Sequence, residues 1–207
     1  MLADNPIAYW RLGEASGIAS DTSGNSRHGA YLNGPTLGGI GALAGDSNTS
    51  ARFDGVNDSV RVPDDAALRL NDSWSIEFWA RQRSFVNTQP GIVAKGDATK
   101  KDGYAVLADS SGELFFMHDK KKNGSGPGAL TSAFRYFVVT YDGHTLRWYV
   151  NGALSTTKNQ KLKDNKGKAV LELGRGVDYG NNDLDEVAMY ATALSAARIA
   201  AHYAAGS

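Results

Sequence analysis

The feature that most constrains this chain is the segment FRYFVVTYDGHTLRWYVNG, residues 134–152. Two runs of β-branched and aromatic residues flank Asp142-Gly143, a dipeptide that favours the tight turn of a β-hairpin. Asn151-Gly152 marks the next turn directly after the second run. The segment therefore predicts two adjacent antiparallel strands.

Strand signals of the same kind recur along the chain. In SWSIEFWAR, residues 73–81, apolar and polar residues alternate, which is the period of a half-buried strand. Short strands at this spacing, separated by Gly, Asn, Asp and Ser, favour an all-β fold, an antiparallel β-sandwich or jelly roll. The other predicted strands are 51–55, 58–62, 91–96, 103–109, 112–119, 169–174 and 185–191.

Helical patterns are rare in the sequence. LSAARIAAHYAA, residues 194–205, predicts one short C-terminal helix with Ser195 as its N-cap. Residues 63–70 predict a single turn, and the glycine-rich residues 33–50 predict a long loop. Because no linker, repeat or low-complexity segment interrupts the chain, we expect residues 1–207 to form a single domain.

Composition excludes several classes of protein. No run approaches the roughly 18 apolar residues that a membrane-spanning helix needs, and the N-terminal MLADNPIAYW lacks the basic and apolar regions of a signal peptide. The chain has no cysteine, so it has no disulfide and no cysteine nucleophile. Its zero net charge and its lysine runs without aromatic residues argue against nucleic-acid binding.

Charge is distributed unevenly along the chain. All eleven lysines lie between residues 95 and 168, where 13 Lys and Arg stand against 7 Asp and Glu. Loops cluster at the two ends of a sandwich, so three lysine-rich segments predict a surface for an anionic polymer. The alternative is that they are solvated loop tips without a partner. The three segments are 95–102, 119–126 and 158–168.

Several segments, taken in order, resemble a known family. They are similar to the successive parts of a laminin G-like, concanavalin A-like domain: AYWRLGEASG, DTSGNSRHGAYLNG, ARFDGVNDSVRVP, SWSIEFWAR, GIVAKGD, FVVTYDGHTLRWYVNG and LDEVAMYATALSAARIAAHY. The resemblance extends from about residue 6 to residue 203 and implies a jelly roll of two antiparallel sheets. One departure is Ser59, where the family often has an aromatic residue.

The form DNPIAYWRLGEASG is also similar to modules in tail and other virion proteins of bacteriophages. A virion protein reaches the cell exterior by lysis and needs no signal peptide. The alternative is that Met1 was added to a module taken from a secreted protein. The expected location is therefore the virion or the extracellular space.

The loop DTSGNSRHG, residues 21–29, gathers small polar residues after the first aromatic strand. In the domains that the chain resembles, this loop often holds a structural calcium ion, completed by an aspartate near the C-terminal DEV strand. The resemblance implies the ligands Asp21, Gly24, Asn25 and Asp185, whose oxygen atoms suit calcium. Asp183 is the competing C-terminal ligand. The alternative is an Asx turn, in which Asp21 caps its own backbone.

The alternation of side chains also predicts a carbohydrate-binding face. Trp79 and Arg81 share one face of their strand, and Arg147 and Tyr149 share one face of the hairpin. If these faces are exposed, the four residues form a platform of aromatic rings for sugars and guanidinium groups for hydroxyls or carboxylates. The alternative is that both faces are buried, one under the other sheet and one under loops.

The sequence contains no recognisable catalytic motif. The Glu-x-Asp-x-x-Glu pattern of jelly-roll glycosidases is missing, and Asp185 and Glu186 are expected on opposite faces of a strand. The four histidines are scattered. We therefore expect a non-catalytic binding or adhesion module for host-surface glycan. A capsid or tail decoration protein acting through protein contacts is the alternative, and a polysaccharide-degrading enzyme is the third hypothesis.

Overall fold

The computed structural model describes residues 1–85 and 87–207. In this part of the chain, strands dominate, with one α-helix, α1 (Ala196–Gly206), and two 3-10 turns at Leu2–Asp4 and Ala66–Arg69. The strands are β1 (Ala8–Trp10), β2 (Ile18–Ala19), β3 (Gly29–Leu32), β4 (Thr36–Ile40), β5 (Thr49–Asp54), β6 (Ser59–Val62), β7 (Trp74–Gln82), β8 (Gly91–Lys95), β9 (Tyr104–Ala108), β10 (Leu114–His118), β11 (Lys121–Gly124), β12 (Arg135–Tyr141), β13 (Thr145–Val150), β14 (Ala153–Asn159), β15 (Leu171–Leu173) and β16 (Asn181–Tyr190).

The strands form two antiparallel sheets. The first sheet has the order β14-β13-β12-β7-β16-β5-β4, with β1 also paired to β16. The second sheet has the order β11-β10-β9-β8-β15-β6-β3-β2. The two sheets pack face to face, which confirms the predicted antiparallel β-sandwich with one short C-terminal helix.

The predicted hairpin is present as the pair β12 and β13, in register from Phe137 opposite Val150 to Tyr141 opposite Leu146. Strand β16 begins at Asn181, four residues before the predicted start at residue 185. The early start places Asp183 and Asp185 on the same strand, so both lie in the first sheet.

Two predicted loops contain strands. Within residues 33–50, β4 pairs with β5 at the edge of the first sheet, and within residues 119–126, β11 pairs with β10 at the edge of the second. Each of these edge strands pairs through its backbone on one side only and covers little of the core. Neither strand therefore needs a run of apolar side chains. Their sequences therefore gave no alternation to detect.

The main core lies between the two sheets. Trp10, Trp74 and Trp148 are each at most 1% exposed. Trp74 of the first sheet packs on Phe116 of the second, with ring centroids 4.7 Å apart. Aromatic contacts of this kind contribute beyond the area they bury, and they hold the sheets at a fixed separation.

A second apolar cluster covers the outer face of the first sheet. Trp79, Tyr136 and Tyr149 of the sheet pack under α1 together with Ile199. Tyr203 of the helix stacks on Trp79, with 5.9 Å between ring centroids. Over this region the first sheet is therefore buried on both faces.

The helix begins where the sequence predicts. The Ser195 side chain accepts a hydrogen bond from the backbone N–H of Arg198 at 3.2 Å, which satisfies one of the free donors of the first turn. In the described part of the chain, no helix combines the length and apolar character needed to cross a bilayer.

Candidate functional site

The predicted platform is not an open surface. Trp79 is 4% exposed and Tyr149 is 5% exposed, because α1 packs over them. Arg147 pairs with Asp142, with 2.6 Å between Nη1 and Oδ2, and Arg81 pairs with Asp183. Alternation shows which residues share a face but not what covers that face, so the structure supports the alternative in which both faces are buried. The cover over the second face is a helix instead of loops.

Trp79 nevertheless lines a cleft at the surface. The cleft has a volume of about 540 Å³ and lies between the N-terminal segment, the loop around Leu43 and the C-terminal end of α1. Clefts of several hundred Å³ with apolar walls and a few polar groups are the usual sites of small ligands. Its lining includes Tyr9, Arg11, Asp46, Trp79, His202 and Ala205.

The indole N–H of Trp79 is buried and has no hydrogen-bond partner in the part of the chain that the structure describes. Because this atom is closed off from solvent, Trp79 contributes its apolar ring to the cleft and not its N–H. Gly206 lies against the same ring: a Cβ there would be 3.0 Å from Cζ2 of Trp79. A larger residue at position 206 would therefore crowd the indole, and glycine allows the ring to lie beside the cleft.

Hydrogen bonds and one ion pair of Arg11 hold the polar wall of the cleft in place. Arg11 Nη2 lies 2.7 Å from Asp46 Oδ2, and Arg11 Nε donates to Glu186 Oε1 at 2.9 Å. The Tyr9 hydroxyl donates to the other oxygen of Glu186. Arg11, Asp46 and Tyr9 are thereby fixed before any ligand arrives, and preorganised groups lose less entropy on binding.

Asp185 and Glu186 form a buried pair of carboxyl groups behind this wall. Both are fully buried, and burial raises the pKa of Asp185 to about 7 and that of Glu186 to about 8. Strongly shifted pKa values beside a cleft are typical of functional sites. The side chain of Asn48 donates to both groups, at 3.3 Å and 3.1 Å respectively.

The expectation that Asp185 and Glu186 lie on opposite strand faces is wrong. The register between β16 and β7 shifts between Asp185 and Ala188, and Glu186 has a φ of 53°. This β-bulge breaks the simple alternation, so both carboxyl groups reach the same Asn48 amide. A bulge leaves no mark in the hydrophobic pattern, so it could not be predicted from the sequence.

Asp21, the first of the predicted calcium ligands, is 6% exposed and already accepts three backbone hydrogen bonds. Its Oδ1 accepts from Tyr9 N and from Ser23 N, both at 2.9 Å, and its Oδ2 accepts from Arg27 N at 2.8 Å. The Ser23 bond, two residues on, is that of an Asx turn. The structure therefore places Asp21 as the alternative interpretation describes.

The other predicted ligands lie in separate surroundings. Asn25 donates from Nδ2 to the carbonyls of Pro6 and Ile7, and Gly24 has a φ of 91°, which favours glycine. Asp185 accepts from Ala42 N at 2.7 Å. Strand β1 lies between the Asp21 segment and β16, because Trp10 of β1 pairs with Asp21 on one side and with β16 on the other.

Of these four residues, Asp21 is engaged by backbone N–H donors. Asp183, the competing ligand, is engaged by Arg81 and Arg83. Within residues 1–85 and 87–207, no group of three or more His, Asp or Glu side chains is arranged to hold a metal ion. Calcium binding stays a prediction of the sequence.

The lysine-rich segments do come together. Asp119 N donates to Lys100 O at 3.3 Å, and Lys163 Nζ lies 2.7 Å from Asp119 Oδ2. Lys95 is the exception, because it is fully buried and pairs with Asp64. The three segments thus meet at one end of the sandwich, and most of their lysines are exposed.

Comparison with known proteins identifies the family. A family model described as the concanavalin A-like lectin/glucanases superfamily matches residues 53–200. No curated protein matches the chain.

Solved structures share the fold at low sequence identity. The receptor binding domain of botulinum neurotoxin mosaic serotype C/D superposes with a TM-score of 0.77 at 13% identity, over 99% of this chain and 51% of that chain. A structure of botulinum neurotoxin type C, a toxin whose cell entry depends on interaction with two ganglioside molecules, gives a TM-score of 0.76 at 14% identity, over 100% of this chain and 52% of that chain. This chain thus spans about half the length of those toxin chains. Domain 4 of AbnA, an extracellular arabinanase from Geobacillus stearothermophilus in complex with arabinotriose, gives 0.69 at 16% identity, over 95% and 97%.

Proposed function

Because the chain belongs to the concanavalin A-like lectin/glucanases superfamily, we propose that it is a non-catalytic module that binds carbohydrate in the cleft beside Trp79. One structure with this fold belongs to a toxin whose cell entry depends on interaction with two ganglioside molecules, and another is in complex with arabinotriose. Their identity to this chain is 14% and 16%, so they support the kind of ligand and not its identity.

The observation that carries the proposal is a cleft of about 540 Å³ whose lining combines the ring of Trp79 with the side chains of Arg11 and Asp46. The apolar edge of an aromatic ring suits the C–H groups of a sugar. Arg11 and Asp46 supply a charged donor and a charged acceptor in the same cleft. The cleft therefore offers both the apolar and the polar contacts that saccharide recognition uses.

The arrangement of carboxyl groups favours binding over catalysis. Asp185 and Glu186, the two groups with raised pKa values, are 0% exposed and lie behind Tyr9 and Arg11. A general acid must reach the leaving oxygen within hydrogen-bond distance, and buried groups behind the wall do not. Asp46 is the exposed carboxylate of the cleft, and Arg11 neutralises it.

The test is to fill the cleft from the exposed end of α1. Ala205 lines the cleft and is exposed, whereas its neighbour Ala204 is exposed and does not line it. We expect Ala205→Trp to weaken the binding of a glycan selected on an array, with arabinotriose as the first probe, by at least about tenfold. Ala204→Trp is the matched control and should bind like the wild type. Isothermal titration calorimetry measures both.

A second variant reduces the aromatic surface of the cleft. Trp79→Phe replaces the indole with a smaller ring, and the loss of about 1 kcal/mol of contact between ring and sugar weakens binding about fivefold. Trp74→Phe makes the same chemical change in the core between the sheets and should leave affinity unchanged. Equal binding by the Ala205→Trp variant and the wild type would exclude this cleft, and release of reducing sugar from the bound glycan would contradict a non-catalytic role.

We also propose that the module acts on a bacteriophage virion, at the host surface. This location is what the resemblance of DNPIAYWRLGEASG to modules of virion proteins implies. Mass spectrometry of purified virions would detect the chain there. If it instead assembles with capsid or tail subunits and binds no glycan, it is the decoration protein of the alternative hypothesis.

A further inference from the structure

A cluster of arginines lies on the outer face of the first sheet, around one buried carboxylate. In the sheet register, Asp183 of β16 lies between Arg81 of β7 and Arg52 of β5. Side chains of directly paired residues lie on the same face of a sheet, so all three belong to the outer face. Arg83, just beyond β7, reaches the same carboxylate.

Asp183 holds two of these arginines in fixed positions. It is 1% exposed; its Oδ2 accepts from Arg81 Nε at 2.7 Å, and its Oδ1 accepts from Arg83 Nε at 2.9 Å. The Arg81 guanidinium also lies over the ring of Phe134, 4.6 Å from its centroid. A guanidinium has five N–H donors in a rigid fork, and only part of each fork is used by Asp183.

Arg52 is the member that a structural role does not explain. It is exposed, and its side chain forms no hydrogen bond or ion pair with any residue that the structure describes. Two residues along β5, the Asp54 carboxylate is engaged by the backbone N–H groups of Val56 and Asn57, at 2.8 Å and 3.3 Å. The cluster thus contains three positive charges against two carboxylates, both of which already accept hydrogen bonds.

We propose that Arg52, Arg81 and Arg83 form a binding site for the carboxylate or sulfate group of an acidic sugar. Guanidinium groups bind both anions through paired N–H donors, and Asp183 removes the entropic cost of ordering Arg81 and Arg83. The cluster is two residues from Trp79 on the same face of β7, so one oligosaccharide can contact both regions. This inference rests on the proposed glycan-binding function and specifies the class of glycan.

The experiment compares three probes with the full chain: galactotriose, trigalacturonate and 6-sulfated galactotriose. We expect the wild type to bind at least one acidic probe about tenfold more tightly than galactotriose at low salt, with the preference reduced at 0.5 M NaCl because exposed charges are screened. The two acidic probes distinguish a carboxylate ligand from a sulfate ligand. Arg52→Gln should remove the preference, bringing the acidic probes within about twofold of galactotriose.

Two matched controls separate this site from general electrostatic attraction. Lys161→Gln removes one exposed positive charge from the lysine-rich end, and Arg61→Gln removes one from the second sheet, where Arg61 pairs with Glu172. Both should keep the preference for the acidic probe. Because Arg52 is exposed and unpaired in the described structure, its substitution should leave the unfolding temperature unchanged.

Three outcomes would overturn the proposal: a wild type that does not prefer acidic probes, an Arg52→Gln variant that keeps the preference, or a control that loses it equally. If glycan binding persists and Ala205→Trp still blocks it, the proposed function stands and only the anion site falls. If the wild type binds none of the probes and no glycan on the array, both proposals fail.

Discussion

Single polar residues in this fold fix backbone that the sheets leave unpaired. Asp21 is the clearest example, because one carboxylate satisfies three backbone N–H groups from two separate segments, one at Tyr9 and one at Ser23 and Arg27. Its own N–H donates to Nδ1 of His28 at 3.0 Å. These bonds tie β1 to the loop that follows β2.

The stability of Asp21 variants tests this role. We expect Asp21→Ala to lower the free energy of unfolding by about 2–4 kcal/mol, because it leaves buried N–H donors without an acceptor. Asp21→Asn keeps one acceptor oxygen and should lose about half as much. Urea unfolding in the presence of EDTA measures both, and the structure predicts the same order of stability with or without calcium.

The same variants decide the calcium prediction. An ion bound with micromolar affinity would stabilise the wild type by about 4 kcal/mol at millimolar calcium. A calcium-dependent rise in the unfolding temperature that Asp21→Ala and Asp185→Ala both abolish would establish the predicted site. If the wild type has the same unfolding temperature in EDTA and in calcium, Asp21 has only the structural role of an Asx turn.

At the scale of elements, α1 is attached to the first sheet by a buried polar network as well as by apolar packing. His202 Nδ1 lies 3.0 Å from Glu77 Oε2, and His202 Nε2 lies 2.8 Å from Asp4 Oδ2. The imidazolium form of His202 donates from both ring nitrogens, so it is the form that can hydrogen-bond to both carboxylates as donor. Glu77 also accepts from the hydroxyls of Tyr136 and Tyr190.

This network predicts how stability depends on pH. Burial lowers the pKa of His202, but its hydrogen bonds to Glu77 and Asp4 outweigh that effect and leave the pKa raised above 6.5. The stabilising contribution is therefore complete below about pH 6.5 and is lost as the pH rises through the folded-state pKa. The hydrogen bond from Arg198 lowers the pKa of Asp4 to about 2, so the contribution of Asp4 is lost only as the pH falls from about 4 towards 2.

His202→Gln should abolish the alkaline part of this dependence. We expect the wild-type unfolding temperature to fall between pH 6.5 and 9, and the unfolding temperature of the variant to be lower at pH 6 by several degrees and flatter above it. His144→Gln, at an exposed turn, is the control and should follow the wild type. A variant profile parallel to that of the wild type would place the titration on another group.

Elements also show what the sequence could and could not predict. Strands with apolar alternation, such as β7 and the β12–β13 hairpin, were predicted within about two residues, because one face of each must fill the core. Strand β4 was missed because it pairs through its backbone at an edge. The sequence could not show which face of β7 is exposed. Helix α1 covers Trp79, and the residues that make this contact are more than a hundred residues apart in the chain.

At the scale of the whole molecule, the two ends of the chain close the sandwich together. Strand β1 pairs with β16, and Asp4 pairs with Arg198 of α1 at 2.6 Å. The residues of the candidate cleft come from both ends, with Tyr9 and Arg11 from the first and Trp79 and Ala205 from later segments. Local patterns predicted the elements, but a site assembled from distant segments has no local pattern, and the sequence could not place it.

We predict that the fold depends on its N-terminal segment. Residues 1–52 supply β1–β4 and most of β5, and they include Trp10 and Leu12, both 0% exposed. Truncating a buried Trp costs about 3–5 kcal/mol and a buried Leu about 2–5 kcal/mol, against a total stability of about 5–15 kcal/mol. We therefore expect residues 53–207, expressed alone, to be unfolded, with a flat near-ultraviolet circular dichroism spectrum and no cooperative melting transition.

A chain lacking only Met1 and Leu2, which is 55% exposed, should melt cooperatively like residues 1–207. Cooperative melting of residues 53–207 would instead mean that the N-terminal segment is an appendage to a domain that folds without it, and the expectation of one domain over residues 1–207 would fail.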